Sequence, residues 1–103
     1  MKIPTSFKIG GRTWKVLFKD TIDEGLSFAK WFDYSAEIHI ARNVVCDEVM
    51  KPCDEYTIEH SFWHELGHVM QYYSTCATDE TSVQTFASFM MEFNNSKIIE
   101  SCN

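Results

Sequence analysis

The sequence predicts an α+β fold in which strands come first and helices second. Up to about residue 40, apolar and polar side chains alternate around short turn signals, which is typical of strands that bury one face. The second half repeats apolar residues every three or four positions, which is typical of amphipathic helices. Strands followed by helices indicate an α+β architecture. A chain of 103 residues is expected to form one domain, spanning residues 1–103.

Four strands are predicted, and they form two hairpins. Gly10-Gly11 separates residues 7–9 from residues 13–18, and two glycines between apolar runs favour a two-residue hairpin turn. Residues 28–32 are rich in aromatic side chains and predict a further strand. Residues 37–40 predict another, with Ile38 and Ile40 on one face, and these two strands are expected to form a second hairpin. Residues 20–25 form a polar connection with room for a short helix.

Two helices are predicted after Pro52, which is expected in a loop. Asp54 or Thr57 is expected to cap the first helix, which runs to about residue 73. Thr78 or Asp79 is expected to cap the second helix. The side chains predicted to face the core are Ile58, Phe62, Trp63, Leu66, Val69 and Met70 in the first helix, and Val83, Phe86, Ala87, Met90 and Phe93 in the second.

Composition excludes some classes of function. The net charge is -6, and an acidic protein repels phosphate backbones, so nucleic-acid binding by charge is not expected. No apolar run approaches the length of a transmembrane helix, and the first residues lack the pattern of a secretory signal, so a cytoplasmic location is expected.

The four cysteines are Cys46, Cys53, Cys76 and Cys102. They form no Cys-x-x-Cys pair, so a zinc ribbon is not indicated. We expect free thiols, as is usual in the cytosol. Cys46 and Cys53 are close enough in sequence that a bridge between them stays open.

The strongest chemical pattern is His64-Glu65-Leu66-Gly67-His68 in the middle of the first predicted helix. Helical residues four apart differ by about 40° around the axis, so His64 and His68 can both bind one zinc ion. Glu65 lies about 60° from His68 and is predicted to be the general base for a zinc-activated water. Gly67 costs about 0.5–1 kcal/mol relative to alanine inside a helix, which indicates a close approach to the backbone.

A catalytic zinc site needs a third protein ligand and an open position. The downstream candidates are Asp79, Glu80 and Glu92. Glu80 begins the second helix near its apolar face and is predicted to be the ligand. The alternative role of Glu80 is a carboxylate that stabilises the positive end of the helix dipole. Asp79 is better placed as a cap, and Glu92 is expected in solvent.

Other polar residues have weaker claims to the site. His60 precedes His64 by one helical turn, and is expected beside the ligands or at the surface. His39 is expected as a solvated strand residue. Tyr34, Tyr72 and Tyr73 are candidates for a transition-state hydrogen bond, and no spacing rule selects among them.

The motif followed by Asp79-Glu80-Thr81-Ser82-Val83-Gln84-Thr85-Phe86-Ala87 resembles the gluzincin arrangement. In that arrangement a glutamate on the helix after the motif is the third zinc ligand. The chain resembles small phage and prophage metallopeptidase-like proteins related to the ImmA/IrrE type. The resemblance covers about residues 7–93 and implies a zincin-like domain with a small sheet, an active-site helix and a glutamate helix. This chain has Ser82-Val83-Gln84 where that type usually has Glu-Ala-Asn, so the role of cleaving a repressor is not carried over.

Three functions are compatible with the sequence. The first is zinc-dependent hydrolysis of a peptide bond in a peptide or protein substrate, with an activity that is either constitutive or latent. The second is a zinc-containing binding or regulatory module without turnover. The third is an α+β domain without a metal.

Two further expectations concern the surroundings of the zinc. Residues 37–41 are expected to form an edge strand that borders the cleft and accepts a peptide. The tail, residues 96–103, is considered as an inhibitory segment, with Cys102 as a remote candidate for a fourth ligand.

Overall fold

The computed structural model describes residues 3–23, 25–30, 35–75 and 79–96, in which six strands precede two helices. The strands are β1 (Ser6–Ile9), β2 (Arg12–Lys19), β3 (Ser27–Lys30), β4 (Glu37–Ala41), β5 (Asn43–Cys46) and β6 (Val49–Pro52). The helices are α1 (Glu55–Thr75) and α2 (Glu80–Ser96). The predicted α+β class is confirmed. Within the described part of the chain, neither helix combines the length and the apolar character required to cross a bilayer.

Four strands form one sheet in the order β1-β2-β4-β3. β1 and β2 are antiparallel, as the Gly10-Gly11 turn predicts, and β3 and β4 are also antiparallel. The two central strands, β2 and β4, run parallel. Residues 31 and 32, the last two of the strand predicted at 28–32, lie outside the described residues. The described strand β3 covers Ser27–Lys30.

The prediction that residues 37–41 form an edge strand is wrong. β4 is paired on both sides, with Glu37 opposite Lys15 of β2 and opposite Lys30 of β3. The physical reason is burial, because Ile38 and Ile40 are fully enclosed and a central position covers them best. The edge on this side of the sheet belongs to β3.

A second, two-stranded sheet was not predicted. β5 and β6 form a hairpin whose turn residues, Asp47 and Glu48, both have positive φ, at 51° and 63°. Positive φ at both central positions is typical of a type I′ turn, and its usual sequence signal is a glycine that this turn lacks. Pro52 ends β6 instead of lying in a loop. The described residues between 20 and 25 contain no helix, only an isolated bridge between Ile22 and Gly25.

The core lies between the four-stranded sheet and α1. Its buried members are Trp14, Val16, Ile38, Ile40, Phe62 and Val69. Helix α2 packs against α1 and buries Val83, Ala87 and Met91. Two residues predicted to face the core are exposed instead, Phe93 at 60% and Met70 at 47%. The buried residues of α2 recur every four positions, and Phe93 lies off that line, so its ring points away from α1.

The β1–β2 turn is packed directly on α1. Gly10 has φ +64°, and a Cβ added there would lie 2.5 Å from the Tyr73 ring atoms Cε1 and Cζ. Gly11 has φ +76° and no atom within 4 Å of an added Cβ. The two glycines therefore share a backbone cost and differ in the steric one.

We expect Gly10→Ala to lower the free energy of unfolding by about 1–3 kcal/mol more than Gly11→Ala does, because only Gly10→Ala forces a methyl group into an aromatic ring. In both variants the alanine must adopt positive φ, which costs free energy. The difference between their free energies of unfolding therefore isolates the contact with Tyr73. Urea denaturation of the two variants measures it. Equal losses would show that Tyr73 does not cover the turn.

Candidate metal centre

Three residues predicted as zinc ligands converge on one point. His64 and His68 lie one turn apart on α1, and Glu80 is the first residue of α2. The Nε2 atoms of the two histidines are 3.2 Å apart. The Glu80 carboxylate lies with Oε1 2.6 Å from Nε2 of His68 and Oε2 3.2 Å from Nε2 of His64. The ligand atoms of the three residues all lie within 4.8 Å of one another.

The start of α1 sets where its histidines lie. The Asp54 carboxylate accepts a hydrogen bond of 2.7 Å from the backbone N–H of Thr57, so Asp54 is the helix cap. That hydrogen-bonding with Thr57 lowers the pKa of Asp54, because it favours the charged form.

Gly67 explains how the second helix reaches the first. A Cβ added at Gly67 would lie 3.0 Å from Cδ2 of Phe86 and 3.3 Å from Cγ1 of Val83. The close approach predicted from a glycine inside a helix is therefore made by α2. Because α2 approaches α1 here, Glu80 can reach both histidines from the start of its helix.

The two other candidate ligands have different positions. The side chain of Asp79 accepts hydrogen bonds from the backbone N–H groups of Thr81 and Ser82, which makes it the cap of α2. A further hydrogen bond from the Ser82 hydroxyl lowers the pKa of Asp79. Glu92 is exposed near the far end of α2. Neither carboxylate belongs to the three-residue cluster.

The donor set fits a zinc ion. Zinc prefers imidazole nitrogens at about 2.0–2.1 Å in a tetrahedral arrangement, which separates two nitrogens by about 3.3–3.4 Å. The separation of 3.2 Å between the Nε2 atoms is close to this value. The Glu80 side chain is 73% exposed, so the cluster opens to solvent on one side. Three protein ligands and an open side are typical of a catalytic zinc site.

Glu65 lies beside the cluster and is almost completely buried. The Ser27 hydroxyl donates a hydrogen bond of 2.7 Å to Oε2 of Glu65. Burial raises the pKa of Glu65, and the Ser27 hydrogen bond, His64 and His68 oppose that rise. Ser27 was not found from the sequence, because only the order of the strands brings β3 next to α1.

Gln84 is another residue that the sequence analysis missed. Its Oε1 lies 2.6 Å from Nδ1 of His64. Gln84 follows Glu80 by one helical turn, and that spacing is a signal that could have found it. Nδ1 of His68 is buried and has no hydrogen-bond partner among the described residues.

The remaining predicted candidates lie apart from the ligand cluster. His60 lines the cleft with its ring 6.4 Å from that of His64, and burial, followed by the charge of His64, lowers its pKa. His39 pairs with Glu37 at 2.8 Å, and by strand alternation it lies on the sheet face away from α1. Tyr73 packs on Trp14 and contacts Tyr72.

Some expectations fall outside the described residues. Tyr34, Cys76, Cys102 and the tail after residue 96 belong to this group. Cys46 and Cys53 are free cysteines, so they do not form the bridge that the sequence left open.

The cluster lies in a cleft of about 630 Å³ between β3 and the two helices. Ser27 and Ala29 of β3 form one wall, and His60 and His64 of α1 contribute to the other. This volume is within the range of about 300–1,000 Å³ that is usual for ligand sites.

Comparison with known proteins adds no assignment. No family model, curated protein or solved structure matches this chain. The resemblance to gluzincins therefore stays a prediction from the sequence motif.

Proposed function

We propose that this protein is a zinc-dependent metallopeptidase of the gluzincin type with a zincin-like fold. His64, His68 and Glu80 hold one zinc ion, and Glu65 is the general base. The observation that carries the proposal is the convergence of two Nε2 atoms and one carboxylate within 4.8 Å, next to a buried second glutamate. A buried carboxylate beside a metal-ligand cluster in a cleft is typical of general-base catalysis.

The chemistry divides between the metal and the chain. A bound zinc ion supplies Lewis acidity, which polarises a peptide carbonyl and makes water acidic near neutral pH. Glu65 takes the proton of the attacking water and passes it to the leaving amine. The Ser27 hydroxyl holds Oε2 of Glu65, which leaves Oε1 to exchange the proton. Burial raises the pKa of Glu65, and the hydrogen bond from Ser27 opposes that rise.

Metal analysis and a cleavage assay test the proposal together. After purification in the presence of zinc, we expect one zinc per chain by native mass spectrometry. An unfolded protein substrate, prepared by reduction and alkylation, should be cleaved by the zinc-loaded enzyme. The same enzyme treated with a chelator should not cleave it. Absence of bound zinc would contradict the proposal. Bound zinc without cleavage would support the alternative, a zinc-containing binding or regulatory module.

The free edge of β3 is the proposed place for the substrate backbone. β3 pairs with β4 on one side only within the described sheet, and it lines the cleft next to Glu65. An extended peptide can add to such an edge through main-chain hydrogen bonds. Ser27 therefore connects the proposed substrate strand to the general base.

We expect a peptide spanning a cleavage site to lose most of its affinity when N-methyl groups block its backbone donors beside the scissile bond. Each methyl group removes one hydrogen bond, worth about 0.5–1.5 kcal/mol, and adds a steric clash. Competition between methylated and unmodified peptides for the Glu65→Gln variant measures binding without cleavage. Methylation at a terminal residue is the control. Equal competition by all peptides would count against binding at β3.

A further inference from the structure

We propose that the face of the four-stranded sheet turned away from α1 binds single-stranded nucleic acid. Among the described residues, α1 packs on the opposite face of this sheet and α2 packs on α1. The face takes no part in the proposed peptidase chemistry, so the inference goes beyond that function and does not depend on it.

Basic and acidic residues are separated between the two layers of the fold. Helices α1 and α2 together contain five glutamates and no lysine or arginine. Strands β1 to β4 contain five lysines and arginines and one acidic residue, Glu37. The net charge of -6 predicts repulsion of phosphate only if the charge is spread evenly. Because the signs are separated, the sheet has an attractive potential for anions that the net charge hides.

Strand alternation places four lysines on the face turned away from α1. Trp14 and Val16 of β2 are buried toward α1, so Lys15 between them points the other way. The same alternation gives this surface, called the lysine face below, the side chains of Lys8, Lys15, Lys19 and Lys30. The first three are exposed and Lys30 is half-buried. Glu37 lies between Lys15 and Lys30 and partly offsets their charge.

The centre of the lysine face is a row of apolar and aromatic side chains. His39 lies opposite Leu17 on one side and opposite Phe28 on the other. The rings of Phe28 and His39 are 4.5 Å apart and tilted by 36°. Lys15 and Lys19 lie two positions before and after Leu17, so they flank the row at a separation of about 13 Å along β2.

This arrangement suits a single strand better than other anionic partners. Single strands are bound by basic side chains that follow the phosphates and by aromatic rings on which bases stack, and some four-stranded sheets bind RNA in this way. A duplex keeps its bases stacked inside, so it offers phosphates to the lysines but no base to Phe28. An acidic polypeptide offers carboxylates without a flat base.

A strand bound to the lysine face leaves the metal centre accessible. Ser27 and Ala29, the neighbours of Phe28 in β3, line the cleft on the other side of the sheet. Nucleic acid and a cleft ligand can therefore be bound at the same time.

Fluorescence anisotropy of the full chain with a labelled oligothymidylate of about 20 nucleotides tests the proposal, since small domains cover roughly 4–16 nucleotides. We expect a dissociation constant of about 10⁻⁶–10⁻⁴ M, and a slope of log K against log salt near about -3 if all four lysines contact phosphates. A chelator in the buffer keeps the result independent of zinc. The matching duplex and a polyglutamate peptide should bind more weakly. Absence of oligothymidylate binding, or equal binding of all three probes, would overturn the proposal.

Substitutions locate the binding surface. Lys15→Ala and Lys19→Ala are each expected to weaken binding and to make the salt slope shallower by about 0.7. Lys51→Ala is the matched control, since it removes an exposed strand lysine from β6, outside the lysine face. Its affinity and slope should stay at the wild-type values. Equal losses in Lys51→Ala and Lys15→Ala would overturn the assignment to this face.

Phe28→Leu tests whether bases stack on the face. Leucine keeps an apolar side chain and removes the ring, so we expect at least about fivefold weaker binding of the oligothymidylate and unchanged binding of the duplex. Equal changes for both probes, or none, would overturn the preference for a single strand. If Phe28→Leu does not fold, the comparison of the three probes with the wild-type chain and the lysine variants decide.

Discussion

Glu65→Gln is expected to lower peptidase activity by about 10²–10⁴-fold while zinc stays bound. The amide cannot take a proton from water, so the chemical step loses its base. The amide oxygen can still accept the hydrogen bond that Ser27 donates to Oε2, at 2.7 Å, so the local fold is retained. Because the side chain is buried, the neutral amide should leave the melting temperature at or above the wild-type value.

The assay compares kcat/KM and zinc content of the variant and the wild-type enzyme. Glu59→Gln is the matched control on the same helix, since it removes a carboxylate that does not belong to the described metal-ligand cluster. Its activity is expected to stay near the wild-type value. Loss of zinc from Glu65→Gln would mean that Glu65 is a ligand and not the base.

Glu80→Gln is expected to weaken zinc binding by more than about 10–100-fold. That range is typical for the loss of a residue that only hydrogen-bonds a metal ligand, whereas Glu80 is proposed as a ligand itself. It replaces an anionic oxygen donor with a neutral one at the position facing Nε2 of His68, 2.6 Å away. Zinc stabilises a fold by binding it, so a weaker site also gives a smaller zinc-dependent rise in melting temperature. Isothermal titration and thermal melts with and without zinc measure the two effects.

Asp79→Asn tests which of the two neighbouring carboxylates, Asp79 or Glu80, binds zinc. Asparagine is as good a helix cap as aspartate, so the start of α2 is preserved. The structure places Asp79 on the backbone N–H groups of Thr81 and Ser82, so we expect wild-type zinc affinity from this variant. Release of zinc by Asp79→Asn, together with retention in Glu80→Gln, would make Asp79 the ligand.

The parts that the sequence predicted are those governed by local spacing. The position of the His64 and His68 rings follows from the helical repeat, and the capping role of Asp54 follows from its place before an apolar periodic run. Glu80 could be singled out because it begins the next helix on the side of its apolar face. In each case, neighbouring residues in the chain carry the information.

The parts that failed depend on long-range order. Alternation predicts that residues 37–41 form a strand, but it does not specify which strands lie beside it. The Ser27–Glu65 hydrogen bond joins residues 38 positions apart, and only the sheet order places them together. The β5–β6 turn has Asp47 and Glu48 at positive φ, and Glu48 occupies the position where the usual Asp-Gly signal has glycine.

The unequal anchoring of the two helices has a thermodynamic consequence. Phe62 and Val69 of α1 belong to the core cluster, whereas α2 buries Val83, Ala87 and Met91 and leaves Phe89 66% exposed. In the metal-free protein α2 is therefore expected to open at a lower free energy than α1. Two of the proposed ligands belong to α1 and one belongs to α2, so the apparent metal affinity is expected to include the free energy of docking α2 on α1. Metal concentration then sets the fraction of molecules in which α2 is docked. Amide hydrogen exchange along α2 should slow as metal is added, while exchange along α1 changes little.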